Sequence, residues 1–137
     1  ELKEQAKSLG IADHVRFTGF VNDVAPYYNI MDLNLNCSWG TETSCLALSE
    51  GMSLYVPAVV TTYGGNPYMI TEGVNGLLVP EKDSPAMAAA ILRIMDDPAF
   101  RKRLSAGARE MYEKKFTASA MTRQLEELYR KSVARWK

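Results

Sequence analysis

The sequence predicts an α/β fold: a Rossmann-like parallel β-sheet flanked by helices, with further helices at its C-terminal end. Short alternating or β-branched segments take turns with helical segments up to residue 80, and only helical periodicity follows. Of the 137 residues, 47% are hydrophobic, which is enough for one domain with a buried core. Residues 1–137 are therefore interpreted as a single unit.

The first part of the chain predicts four short elements. Apolar residues at helical spacing over 2–9 predict a helix that ends at Gly10. The alternation over 14–18 predicts a strand that turns at Gly19. The next two elements are a short helix capped by Asp23 and a second alternating strand, over 23–30 and 33–37.

The middle of the chain supplies the centre of the predicted sheet. A helix is expected over 44–54, followed by a β-branched strand over 57–61 that reads as a buried parallel strand. A glycine turn and a short helix then lead to another strand over 77–80. Parallel strands joined by helices place the carboxyl end of each strand at one edge of the sheet.

Three helices fill the remainder, and each begins at a recognisable capping sequence. Ser84–Pro85 reads as an N-cap followed by the first helical residue. Asp97–Pro98 begins the second helix and Thr117 begins the third.

Charge and cysteine content exclude several classes of protein. Sixteen basic and sixteen acidic residues leave no net field that would attract nucleic acid. Two cysteines do not make a disulfide scaffold, and no Cys/His pattern predicts a zinc or other metal site. No apolar run is long enough to span a bilayer. We expect a reduced, cytoplasmic setting; the basic residues late in the chain leave open a weak contact with the inner face of the membrane.

Two glutamates eight positions apart flank the start of the predicted 44–54 helix. Glu42 precedes the helix and Glu50 lies two turns along it, with the amides of Thr43 to Leu46 between them. Helix N-terminal amides bind anions, and carboxylates accept hydrogen bonds from hydroxyl pairs. This order of carboxylate, helix N-terminus and carboxylate suits a ligand with a diphosphate between two hydroxyl-rich groups. Taken singly, Glu50 reads as a solvated helix residue and Glu42 as a capping carboxylate.

Three further segments fall at the carboxyl ends of predicted strands, where ligands of open parallel sheets bind. They are the turn with Gly19, Phe20 and Val21, the loop over 38–44, and the turn with Gly64 and Gly65. A double glycine lets backbone approach a sugar or phosphate closely, although glycines also make ordinary turns.

These residues together resemble a known family. Residues 15–80, VRFTGFVNDVAPYYNIMDLNLNCSWGTETSCLALSEGMSLYVPAVVTTYGGNPYMITEGVNGLLVP, resemble the C-terminal, donor-binding domain of retaining GT-B glycosyltransferases of family GT4. Glu42 and Glu50 match the family's E-x7-E signature. The resemblance implies a nucleotide-diphosphate sugar as donor substrate, and no metal or other cofactor.

The resemblance also implies a role for each candidate residue. Glu50 would hold the donor ribose, and Glu42, in the catalytic position, would contact the donor hexose. The other implied donor contacts are Thr43, Ser44, Cys45, Leu46, Gly64 and Gly65, with Gly19, Phe20 and Val21 against the nucleobase edge.

The chain departs from the family pattern at several positions, and some of these departures lead to expectations. The usual Arg and Lys that grip the diphosphate, and the N-terminal acceptor-binding domain, are not within it, so we expect a partial domain that is inactive alone. Tyr68 stands where the family often has an acidic residue. Tyr55 stands where a glycine commonly ends the helix, and a left-handed backbone there would cost about 1–2 kcal/mol. Two alternatives stay open: a non-catalytic GT-B-like binding or scaffold domain, and a fragment of a sugar-nucleotide epimerase.

Overall fold

The computed structural model describes residues 1–136 and has the predicted α/β architecture. Its elements in chain order are α1 (Leu2–Ser8), a 3₁₀ turn (Ala12–His14), α2 (Ala25–Tyr28), β1 (Asn34–Asn36), α3 (Leu46–Ser53), β2 (Ala58–Thr61), α4 (Asn66–Met69), β3 (Gly76–Val79), α5 (Ser84–Met95), α6 (Pro98–Met111), a π-helical turn (Tyr112–Phe116) and α7 (Ala118–Ala134).

The three strands form one parallel sheet in the order β1-β2-β3. Every residue of the central strand β2 is buried, as its continuous β-branched sequence predicts for a strand covered on both faces. The carboxyl ends of all three strands lie at the same edge of the sheet, so the loops after β1 and β2 are neighbours. The predicted fold class is therefore confirmed.

Helices cover both faces of this sheet, and the alternation of side chains along β2 builds two hydrophobic clusters. Val60 packs in a cluster with Met52 of α3. Val59, which points to the opposite face, packs in a cluster with Leu77 of β3 and Ile94 of α5. Helix α6 contributes to both clusters and so joins the two sides of the domain.

The prediction of a strand over 14–18 is wrong. Residues 12–14 form a 3₁₀ turn, and Val15 continues in an extended conformation (φ −115°, ψ 124°) without pairing to the sheet. An alternating pattern specifies an extended chain with two different faces, but a strand also needs a neighbour for its backbone hydrogen bonds. Within residues 1–136 the sheet contains no strand beside this segment.

Two helix starts differ from the prediction by one or two residues. Helix α3 begins at Leu46, because Cys45 is still extended (φ −75°, ψ 99°) and is the N-cap. Helix α5 is capped by Asp83 and not by Ser84, since the Asp83 carboxylate accepts a hydrogen bond from the Ala86 amide at 2.9 Å.

Helix α2 is shorter than the predicted helix over 23–30, and its N-cap is Val24 and not Asp23, although the Ala25 amide donates to Asp23 Oδ1 at 3.2 Å. The starts of α6 and α7 follow the prediction. Asp97 accepts from the Phe100 amide at 2.8 Å, and Thr117 accepts from the Ala120 amide at 3.2 Å. Tyr55 has a left-handed backbone with φ +64°, as expected for the position after α3. No helix within residues 1–136 combines the length and the hydrophobicity that crossing a membrane requires.

Candidate functional site

Glu42 lies in the loop after β1, and its carboxylate is held by side chains from the end of that strand. Its Oε2 accepts hydrogen bonds from Asn36 Nδ2 and from Ser38 Oγ, each at 3.3 Å. The same Asn36 amide group contacts Cys45 Sγ at 2.9 Å, which ties the loop to the beginning of α3. Glu42 is half-buried, so these contacts fix where its carboxylate stands.

The double glycine packs directly against the Glu42 loop. The Gly65 amide donates to the Glu42 carbonyl oxygen at 3.1 Å. A Cβ atom at Gly64 would lie 1.8 Å from that same oxygen, and one at Gly65 would lie 1.9 Å from the Thr43 carbonyl oxygen. Gly64 also has φ +57°. The two glycines thus allow a close backbone approach, and its partner in this structure is the loop that carries Glu42. The predicted approach to a sugar or phosphate stays a prediction.

The strand β2 and the residues after it hold the rest of this loop. Thr61 Oγ1 donates to the Ser38 carbonyl oxygen at 2.7 Å, and the Tyr63 hydroxyl donates to the Gly40 carbonyl oxygen. Asn66 is fully buried, and its Nδ2 donates to the Thr61 carbonyl oxygen at 3.0 Å. Its Oδ1 has no hydrogen-bond partner among residues 1–136. The loop is thus positioned by β1, β2 and α4 together.

Glu50 lies on the second turn of α3 beside the buried side chain of Tyr28. The Tyr28 hydroxyl is 3.2 Å from Glu50 Oε2 and 3.0 Å from the Ala47 carbonyl oxygen, and its single hydrogen is shared between these two acceptors. Burial, and then the charge of Glu50, raise the pKa of Tyr28 to about 12. Neutral Tyr28 therefore remains a hydrogen-bond donor to the Glu50 carboxylate.

A small residue on α3 allows this contact. A Cβ atom at Gly51 would lie 2.9 Å from Asn34 Nδ2 and 3.4 Å from the ring of Tyr28. Asn34 also donates to the Ala47 carbonyl oxygen at 2.8 Å, so β1 and α2 both dock on the same face of α3. Glu50 consequently has a fixed place relative to the sheet.

The predicted anion-binding amides need a correction in position. Thr43 and Ser44 precede the helix, Cys45 is its N-cap, and the Leu48 amide bonds to the Cys45 carbonyl oxygen at 3.1 Å. The amides of Leu46 and Ala47 are at the start of the helix and have no helical carbonyl oxygen one turn earlier to donate to. The start of α3 still lies between the two glutamates along the chain, as predicted.

The segment with Gly19, Phe20 and Val21 is built differently. Gly19 has φ +65°, which confirms a turn, and the Phe20 side chain is 92% exposed. Within residues 1–136 no side-chain hydrogen bond joins this segment to the Glu42 loop or to Glu50 on α3. Hydrogen bonds and close backbone contacts connect Glu42, the double glycine and the start of α3.

Sequence reasoning missed three residues of this arrangement. They are Asn36, Asn66 and Tyr28, whose contacts with the site are not predicted from the sequence. A polar residue at the last position of a strand, such as Asn36, is a signal that could have drawn attention. Within residues 1–136 there is no cluster of three or more His, Cys, Asp or Glu side chains that could hold a metal ion.

The chain is similar to glycosyltransferases of known activity. The family model described as "Glycosyl transferases group 1" matches residues 1–111. Over 136 residues the chain is 32% identical to the lipopolysaccharide core biosynthesis glycosyltransferase LpsD of Rhizobium meliloti, covering 98% of this chain and 39% of LpsD. It is 30% identical over 132 residues to the alpha-D-kanosaminyltransferase of Streptomyces kanamyceticus, covering 95% of this chain and 34% of that enzyme.

Solved structures have the same fold. A sucrose-phosphate synthase from Thermosynechococcus elongatus superimposes with a TM-score of 0.85 at 30% identity, over 97% of this chain and 34% of that one. Anabaena HepE, solved in complex with UDP, superimposes with a TM-score of 0.88 at 25% identity, over 95% of this chain and 36% of HepE. This chain therefore spans between a third and two fifths of the length of these proteins.

Proposed function

Because this chain belongs to the glycosyl transferases group 1 family, we propose that it is the donor-binding part of a retaining GT-B glycosyltransferase of the GT4 type. The reaction would move a hexose from a nucleotide-diphosphate sugar to an acceptor. HepE, which shares the fold at 25% identity, was solved with UDP and with UDP-glucose, and this supports a nucleotide-sugar donor.

The observation that carries the proposal is that both glutamates are held by other parts of the fold. A glutamate that only solvates a surface needs no such partners, whereas Glu42 has Asn36 and Ser38, and Glu50 has the buried Tyr28. Orientation of this kind reduces the cost of fixing a carboxylate when a ligand binds.

We assign a separate role to each glutamate of the E-x7-E pair. Glu50 accepts hydrogen bonds from the two ribose hydroxyls, since a carboxylate can accept from a vicinal diol. Glu42 contacts the hydroxyls of the donor hexose and is the residue at the reacting end of the donor.

The beginning of α3 would hold the diphosphate between these two carboxylates. The amides of Leu46 and Ala47 are the first of the helix, and Thr43, Ser44 and Cys45 lead into it. Negative charge grows on the leaving diphosphate as the sugar bond breaks, and amide groups that already point at it stabilise that charge. Gly64 and Gly65 shape the opposite side of this space by packing on the Glu42 loop.

The nucleobase would lie against Gly19, Phe20 and Val21.

We further propose that residues 1–137 form a partial donor domain. Turnover would require an acceptor-binding domain that is not among these residues, and no metal would take part. The two free cysteines fit a cytoplasmic location, with the inner face of the membrane as the site of a peripheral contact.

A nucleotide titration tests the proposal. Isotope-labelled chain is titrated with UDP, GDP and ADP while the amide resonances of residues 43–50 are followed. We expect saturable shifts with one of the three nucleotides, and at least tenfold weaker binding in Glu50→Gln. Glu127→Gln, an exposed glutamate of α7, is the matched control and should bind as the parent chain does. Indifference to all three nucleotides would favour the scaffold alternative.

A further inference from the structure

A groove of about 310 Å³ lies at the same edge of the sheet as the proposed donor site, but it is lined by different residues. Cys37 follows β1, Thr61 ends β2 and Pro80 follows β3, so all three strands contribute their carboxyl ends. The first turns of α5 form the other wall. Ligands of open parallel sheets bind at this edge, and the volume is at the small end of the range for ligand pockets.

The inner surface of the groove is mainly apolar. Pro80, Met87 and Ile91 line it together with Ala88. Asp83 is also present, but its carboxylate caps α5 through the Ala86 amide. A hexose would find few polar partners on such a surface, whereas an aliphatic group would lose water from its whole length.

The rim of the groove carries a positive charge over an aromatic ring. Lys82 Nζ lies 4.1 Å from the centre of the Trp39 ring, and Trp39 is 63% exposed. Lys82 has φ +57°, a conformation that is uncommon for a residue with a side chain. None of the ion pairs within residues 1–136 involves Lys82. The ammonium group contacts the Trp39 ring and still has N–H groups that a ligand anion can accept from.

We propose that this groove binds an anionic amphiphile, with an aliphatic segment along Met87 and Ile91 and a phosphate or carboxylate paired with Lys82. The apolar surface selects the aliphatic part, and the ammonium group at the rim selects the charge. The site is separate from Glu42 and Glu50, neither of which lines the groove. The proposal therefore does not depend on the proposed function.

Trp39 provides a direct optical probe. The chain has two tryptophans, Trp39 and Trp136, so Trp136→Phe leaves Trp39 as the single reporter. In this background we expect hexyl phosphate to change the fluorescence saturably and to bind at least tenfold more tightly than hexanol, hexyl glucoside or inorganic phosphate. Equal binding of hexyl phosphate and hexanol, equal binding of inorganic phosphate, or no binding of hexyl phosphate would overturn the proposal.

Two lysine variants test the assignment of the charge. Lys82→Met keeps the aliphatic stem and the backbone conformation, and it should weaken hexyl phosphate at least fivefold while hexanol is unaffected. Lys102→Met, an exposed lysine of α6, is the control and should have no effect. Because Lys82→Met also alters the environment of Trp39, affinities are measured in addition from amide shifts of residues 84–91. Equal affinities of the two variants for hexyl phosphate would show that Lys82 does not bind the anion.

The anion could belong to a free ligand or to a lipid headgroup, and a vesicle experiment separates these sources. Sedimentation of the chain with phosphatidylglycerol vesicles, lost in Lys82→Met, would assign the groove to a lipid. Binding of hexyl phosphate without sedimentation would assign it to a soluble amphiphile. Sedimentation that Lys82→Met leaves unchanged, together with unchanged hexyl phosphate affinity, would contradict both.

Discussion

The two ends of the proposed donor site are built in different ways. At one end, Glu42 and the double glycine are joined by hydrogen bonds and backbone contacts that involve β1, β2 and the start of α3. At the other end, Phe20 is 92% exposed, and the side-chain hydrogen bond that the described residues form at its turn is local, from Thr18 Oγ1 to the Gly19 carbonyl oxygen. We infer that the fold already positions the end proposed for the sugar and diphosphate, whereas Phe20, at the end proposed for the base, would lose side-chain freedom when a ligand covers it.

The largest expected effect comes from a matched pair of glycines, one at each end. Gly64 and Gly19 both have left-handed backbones, with φ +57° and +65°. A Cβ atom at Gly64 would lie 1.8 Å from the Glu42 carbonyl oxygen, whereas nothing lies within 4 Å of a Cβ atom at Gly19. Both alanine variants lose about 1–2 kcal/mol from the left-handed conformation. Gly64→Ala should lose about 3 kcal/mol or more in total, because the two loops must also separate.

Urea unfolding of the two variants measures this difference directly. The shared cost of the backbone conformation cancels between them, so the remainder reports the close approach of the double glycine to the Glu42 loop. Equal free energies of unfolding for Gly64→Ala and Gly19→Ala would contradict the expectation that the close packing at Gly64 adds to the cost of the substitution.

A second test compares the Glu50 carboxylate, which Tyr28 holds in place, with the exposed Phe20 side chain as contributors to nucleotide affinity. Tyr28→Phe removes the donor to the Glu50 carboxylate and should weaken nucleotide binding roughly tenfold, the size expected for a hydrogen bond to a charged group. Phe20→Ala removes a side chain that has to be ordered on binding, so a smaller loss of about two- to threefold is expected. Isothermal titration calorimetry measures the nucleotide affinity of both variants. A larger loss of affinity in Phe20→Ala than in Tyr28→Phe would contradict this expectation.

The loss of folding stability at alkaline pH offers a third test, which concerns the contact between Tyr28 and Glu50. The pKa of Tyr28 is raised in the fold to about 12 from 10.0, mainly by burial and then by the charge of Glu50. The fold therefore favours neutral Tyr28: this contribution to stability is complete below pH 10 and is lost as the pH rises from 10 to 12.

Unfolding free energies measured between pH 9 and 12 should consequently fall less steeply in Tyr28→Phe than in the parent chain. Tyr68→Phe, which changes a side chain that is 83% exposed, serves as the control and should follow the parent. Identical slopes for Tyr28→Phe and the parent would show that Glu50 and burial do not hold Tyr28 in its neutral form.

The sequence could predict what depends on local chemistry. The continuous apolar run of β2 and the caps at Asp97 and Thr117 follow from neighbouring residues, and the structure confirms them. The question of a left-handed backbone at Tyr55 comes from the family resemblance, and the structure has φ +64° there. The strand over 14–18 failed because alternation does not reveal whether a partner strand is present. Helix α3 starts at Leu46 and not at residue 44, because Cys45 is extended and contacts Asn36 through its sulfur atom, a contact that periodicity does not report.

The candidate site shows the same division. The order of Glu42, the helix start and Glu50 can be read from spacing, and the roles of these residues remain predictions. The contacts that hold the two carboxylates cannot be read in that way. Tyr28 is 22 residues from Glu50, and Asn66 is 30 residues from Asn36, so only the folded chain shows that these side chains meet.

The smallest expected effect concerns backbone strain at Tyr55, at the end of the helix that carries Glu50. Helix α3 ends with the Tyr55 amide bonded to the Met52 carbonyl oxygen at 3.2 Å and the Val56 amide bonded to the Gly51 carbonyl oxygen at 2.9 Å. This is the Schellman arrangement, whose left-handed position glycine normally occupies. Tyr55 therefore costs about 1–2 kcal/mol in backbone energy, which Tyr55→Gly would recover.

Two opposing terms reduce that gain. The Arg109 guanidinium lies 5.5 Å from the centre of the Tyr55 ring, a contact worth about 0.5–1 kcal/mol at an exposed site, and glycine gives the unfolded chain more freedom. We expect Tyr55→Gly to raise the melting temperature by about 1–3 °C in thermal unfolding. Tyr55→Ala is the matched control: it loses the ring but keeps most of the backbone strain, so it should melt below the parent. The contact with Arg109 is lost in both variants and cancels between them. If glycine melts no higher than alanine, the left-handed backbone at Tyr55 carries no strain that glycine can relieve.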